Sequence, residues 1–166
     1  MIARRLGVVP ALALVVLLVV LLVVLLAGCG AASKPQRTPA VSAVPLVPGS
    51  KVVKQVRQCD QGSRAYCAID LVVVNPKYAS SDLFAKDESQ ALKGSGWSLA
   101  DGDTNLQSGA NSPGHGLRLT YTTAVGDLRE IDLGAINRPW PITYALSNSM
   151  FDGAAAMSMR LEVGAS

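Results

Sequence analysis

The chain has 166 residues, 49% of them apolar, and carries 15 Lys and Arg against 12 Asp and Glu for a formal charge of +3. That length holds one domain. With charges so nearly balanced and no dense Lys/Arg stripe anywhere, bulk electrostatics exclude a nucleic-acid-binding role.

Arg4 and Arg5 precede residues 7–27, in which no charged or hydrogen-bonding side chain occurs. An apolar run with a basic flank inserts with the flank inside, and about 20 residues can either span a bilayer or act as an export signal. The next residues decide. Leu26-Ala27-Gly28-Cys29 sets a large aliphatic residue and two small ones before a cysteine, and this resembles the lipobox of bacterial lipoproteins. The resemblance covers only about the first 30 residues. It implies a diacylglyceryl group, built from chains such as palmitate, on the Cys29 thiol and cleavage between Gly28 and Cys29. Residues 1–28 are then a signal peptide, and the mature product has 138 residues. Each buried methylene contributes roughly 0.8 kcal/mol, so two or three acyl chains hold firmly. The expected location is the cell envelope, on the outer face of the cytoplasmic membrane, or on the outer membrane of a cell that has one, with membrane lipid as the partner of Cys29.

Subtracting Cys29 from three cysteines leaves Cys59 and Cys67, which can oxidise outside the cytoplasm. The nine-residue loop suits a strand-to-strand hairpin, and closing it stabilises the fold by about 2.6 kcal/mol in the chain-entropy model. A redox or zinc motif needs closer spacing and more ligands.

Residues 29–48 read as a tether rich in Ala, Ser and Pro, with Pro35, Pro39, Pro45 and Pro48 along it and only Lys34 and Arg37 charged. Such a segment reaches at most roughly 60 Å. Residues 49–166 form the expected domain. Val52 and Val56 mark a first strand ending at Cys59. Lys51, Lys54, Arg57 and Arg64 read as a solvated hairpin face, with an anionic surface as the alternative. Residues 66–74 are almost wholly apolar and predict a central strand buried on both faces. Asp70 inside it demands a partner.

Asn75-Pro76 ends that strand, and Ser80-Ser81-Asp82 opens a helix carrying Leu83, Phe84, Ala91 and Leu92, with Lys93-Gly94 as its stop. Trp97 and Leu99 alternate in a short strand, after which residues 101–116 show no periodicity and read as a long loop. Leu117, Leu119, Tyr121 and Thr123 alternate cleanly as a strand. Residues 128–136 fit either a helix opened by Asp127 and Glu130 or a strand, and Gly134 tilts the choice to strand. Ile142, Tyr144 and Leu146 alternate after Arg138-Pro139-Trp140-Pro141, as do Met157, Met159, Leu161 and Val163, and both predict strands. The sum is an α+β domain: an antiparallel or mixed sheet of about six strands with one main helix packed on one face.

Chemistry-bearing motifs are sparse. Asp101, Asp103 and Asn105 match the first three oxygen donors of an EF-hand calcium loop, but Leu106 and Ser112 stand where Gly and a bidentate acid belong, so a polar turn is expected and no metal is assigned. His115, the only histidine, has Ser108, Ser112 and Asp101 nearby in sequence but no nucleophile elbow or Ser-x-x-Lys pattern, so a hydrolase centre is the least favoured reading. Trp97, Trp140, Tyr144 and Phe151 are expected in the core, with Trp140 and its neighbour Arg138 as the exception worth testing for binding. No cofactor is implied. The expected function is a lipid-anchored, non-enzymatic domain that binds an envelope protein or other envelope component, with a small-ligand pocket beneath residues 101–116 as the alternative.

Overall fold

A computed structural model of the chain describes residues 38–59 and 66–164. The signal peptide, Gly28, Cys29, the first part of the tether and Arg64 lie outside the described residues. Nine elements follow one another: β1 (Lys51–Cys59), β2 (Cys67–Val74), α1 (Ser81–Gly94), β3 (Ser98–Asp101), β4 (Ser108–Asn111), β5 (Leu117–Thr123), α2 (Ala124–Asp132), α3 (Trp140–Phe151) and β6 (Ala156–Val163). The strands form one six-stranded antiparallel sheet in the order β1-β2-β6-β5-β4-β3. The α+β class and the strand number agree with the sequence.

Strand β2 is buried over seven consecutive residues because both faces of the sheet are covered. Ile69, Leu71 and Val73 point to one face, where Met157, Met159, Leu161, Leu119 and Tyr121 of β6 and β5 join Phe84 and Leu92 of α1 and Trp97 in the larger core. Val72 and Ala156 point to the other, where Ile142 and Leu146 of α3 and Ala124 of α2 form a smaller core. The single covering helix expected from sequence is thus joined by two more on the opposite face.

Those two helices correct the strand assignments of residues 128–136 and 142–146. The Thr123 hydroxyl caps α2 by accepting from Gly126 N–H at 3.2 Å, a role the sequence reading gave to Asp127 and Glu130. Gly134, read as a helix-weakener, is the turn after the helix end: it adopts φ +68° and donates to Ile131, a conformation that costs glycine nothing. In α3, Ile142, Leu146 and Ser149 are the buried residues, spaced four and three apart. The apparent alternation of Ile142, Tyr144 and Leu146 is a coincidence of that helical spacing.

Two further corrections concern boundaries. Gly94 is the last residue of α1, and Gly96 at φ +82° makes the stop. Residues 101–116, expected as one loop, contain β4, whose Ser-Gly-Ala-Asn sequence has no apolar alternation to betray it. Gly109 lies so close to β3 that a Cβ there would stand 2.4 Å from the Asp101 carbonyl oxygen.

Residues 41–48 were expected within the tether but belong to the fold. Val44 and Val47 are buried in the larger core, with Val41 and Leu46 packed against it. Prolines prevent regular pairing here, yet the valines between them supply enough apolar surface to dock. The Cys59–Cys67 disulfide is formed, joining direct register partners of β1 and β2. Arg57 lies across it, donating to both sulfurs at 3.1 Å.

Candidate functional site

The domain's most unusual surface starts from a buried charge. Asp70 of β2 is fully buried, and its costly carboxylate is met by two guanidinium groups: Arg138 Nη1 at 2.9 Å and Arg160 Nη1 at 3.3 Å. Arg138 turns its other nitrogens on Asp127 of α2, with Nε and Nη2 each 3.1 Å from a carboxylate oxygen. Arg160 also donates from Nε to Glu162 at 2.6 Å. Burial still pushes the Asp70 carboxyl above its ordinary range, outweighing the pull of Arg138 and Arg160. Arg138 was a candidate for binding; its side chain is almost wholly buried and its donors are committed inside the protein, so it positions structure instead.

What it positions is α3. Arg138 is the residue before Pro139, the N-cap of that helix, and Pro141 sits in the first turn, where a missing N–H costs nothing. The helix holds no charged residue along its length. Its inner side is spent on the smaller core, while Trp140 remains 72% exposed, Tyr144 54% and Phe151 96%. These three and Ser147 recur at intervals of four, three and four, so they fall along one stripe of the helix. Trp140 and Tyr144 stack with ring centroids 5.1 Å apart. Leu133, just past the end of α2, is also largely exposed. Of the four large aromatics expected in the core, only Trp97 is buried.

The rim on the β1 side is basic. Lys51 pairs with Val74 and Lys54 with Val72, and cross-strand partners project to the same face, here the face covered by α3. Both lysines are exposed, and no lysine takes part in an ion pair among the described residues.

The other candidates separate. Asp101 ends β3 opposite Ser108, Asp103 is paired with Arg118 at 2.8 Å, and Asn105 is exposed in the hairpin turn. Among the described residues no cluster of His, Cys, Asp and Glu is placed to hold a metal ion. Thr104 and the Leu106 N–H instead donate to Glu130 of α2, which pins the turn down. His115 is exposed in a short turn at φ 55°, and the Ser112 hydroxyl accepts from Leu117 N–H.

A cleft of about 260 Å³ opens beside residues 101–116, lined by Asp82, Ala85, Leu106, Ser108, Tyr121, Thr122, Thr123 and Gly126. Much of its polar lining is engaged internally: Thr122 donates to the Leu106 carbonyl at 2.6 Å, and the Tyr121 hydroxyl lies 2.7 Å from that of Ser89.

No family model, curated protein or solved structure matches the chain. Function therefore rests on the chemistry of these surfaces. The α3 stripe was hidden from sequence reasoning by the mistaken period. Placed on a helical wheel, Trp140, Tyr144 and Phe151 segregate from Ile142 and Leu146, and that segregation is the signal that would have found them.

Proposed function

We propose that the protein is a lipid-anchored lipoprotein of the cell envelope whose domain acts without catalysis, docking an envelope protein on the outer face of α3. The observation that carries this reading is the charge-free aromatic stripe Trp140, Tyr144 and Phe151, exposed on a helix whose inner side already fills a core. Large rings dominate binding energy when a partner buries them, and monomeric surfaces rarely group them. The Lys51 and Lys54 rim gives the partner its chemistry: an apolar patch bordered by acidic side chains, steered and oriented by charge. Export and acylation at Cys29 rest on the resemblance of residues 26–29 to a lipobox.

The test places a photo-crosslinking residue at Ser147 in cells carrying the full chain. A discrete adduct is expected, lost on Trp140→Ala with Phe151→Ala and absent when the crosslinker replaces Lys86 on α1. Equal adducts from both positions would refute a specific surface on α3.

A second reading, binding of a small ligand, is favoured by the cleft beside residues 101–116. Its volume lies just below the roughly 300–1,000 Å³ usual for such sites. Replacing Ala85 with Trp would fill it; unchanged partner capture in that variant separates the two readings.

A further inference from the structure

The N-terminal segment of the described fold, residues 38–48, is held differently from everything else. It pairs with no strand, and its only regular structure is the short turn Val41–Ala43. Val44 and Val47 anchor it in the core, and the Asn75 amide donates to the Pro48 carbonyl at 3.4 Å. Another of its bonds to the domain is an unusual one. The Val47 N–H donates at 3.0 Å to Glu88 Oε2, and Glu88 is a fully buried residue on the inner side of α1 whose other oxygen, Oε1, has no partner. A buried carboxyl that touches this segment has only one oxygen satisfied, and such an arrangement is expensive when the group is charged.

We infer that residues 38–48 are a detachable strap, closed over Glu88, and that its release lengthens the leash between the domain and its anchor. The consequence for the leash rests on the lipid attachment proposed above; the strap itself does not. Opening frees residues 38–48, which span roughly 34 Å at 3.1 Å per residue.

Closure and protonation are coupled. Burial raises the Glu88 carboxyl from 4.5 to about 7, and the Val47 N–H offsets only part of that. In the open state water reaches the carboxyl and its ordinary value returns. Closure therefore takes up a proton between those two values: it is favoured fully below 4.5, weakens as pH rises towards 7, and changes little above. The strap carries no charged side chain. Tyr78, from the turn before α1, and Tyr121 of β5 interact with Glu88, and both phenols are raised above 10, so neither titrates in this range. Asp87, next to Glu88 on α1, is bonded to the Tyr78 hydroxyl at 2.8 Å.

Hydrogen exchange of the purified full chain, corrected for the intrinsic pH dependence, tests this at pH 5.5 and 8.5. Amides of residues 41–48 are expected to exchange faster than those of β2 and β6 and to open about thirtyfold more at the higher pH, a response abolished in Glu88→Gln. Strap amides that exchange only together with β2 and β6 in the native chain overturn the inference, whether or not Glu88→Gln folds; so does an unchanged pH response in that variant. Fluorescence transfer from labelled bilayer to domain reads the leash. Strap opening without a change in that distance leaves the strap standing and removes the lipid anchor.

Discussion

Replacing Arg138 with Met keeps the length of the side chain and deletes the guanidinium from the middle of the buried network. Asp127 then loses contacts at 3.1, 3.1 and 3.4 Å, and Asp70 loses its closest one at 2.9 Å while keeping Arg160 at 3.3 Å. Both carboxylates are fully buried, so Asp127 is left without its guanidinium and Asp70 with half its compensation. Breaking a buried pair on one side costs about 3–5 kcal/mol, most of it the cost of the stranded charge. Urea denaturation should register this as a fall of about 2 M in the midpoint at an unchanged slope. The decisive arm combines Arg138→Met with Asp127→Asn. If stranded charge is the cause, the double variant recovers a large part of the loss, although it contains more substitutions. A single variant losing under about 1 kcal/mol, or a double variant no better than the single, would refute the assignment of these groups as a desolvated network.

Three other outcomes follow from the same structure. Trp140→Ala and Phe151→Ala should each change stability by less than about 0.5 kcal/mol in the isolated domain, whereas Phe84→Ala should cost about 3–5 kcal/mol, since only Phe84 is buried; thermal denaturation of the three variants compares them directly. Reducing Cys59–Cys67 should lower stability by about 2–3 kcal/mol, measured by denaturation with and without dithiothreitol, and no loss would show that the short β1–β2 connection needs no bridge. Cys29→Ala should abolish incorporation of labelled fatty acid and leave the precursor uncleaved; persistent labelling would move the anchor elsewhere.

The parts of the fold legible in sequence are those with one period and one face. Strand β5 alternates cleanly because odd positions enter the larger core, and β6 does the same. Strand β2 declared itself by being apolar on both sides. Helix α1 carried a cap, an acidic first turn and a basic last one. By contrast, α3 has apolar residues on its exposed side as well as its buried side, so no face contrasts with another and a short window shows only alternation. Strand β4 is built of small and polar residues, with Gly109 where a Cβ would meet the Asp101 carbonyl, and such residues carry no hydrophobic signal. The need of Asp70 for a partner was visible in its position, but Arg138 lies 68 residues away, a separation no local pattern reaches. Arg138 and Trp140, separated by one proline, do opposite things, one locked inside and the other facing out.

The position of β6 bears on how the chain is made. It comes last of the six strands in sequence yet lies third across the sheet, between β2 and β5. Until residues 156–163 arrive, the pair β1–β2 and the trio β5–β4–β3 have no common neighbour in the sheet. Closing the sheet therefore depends on pairing β6 with β2, two segments far apart in sequence, so the entropy of closing that long loop falls on one step of folding.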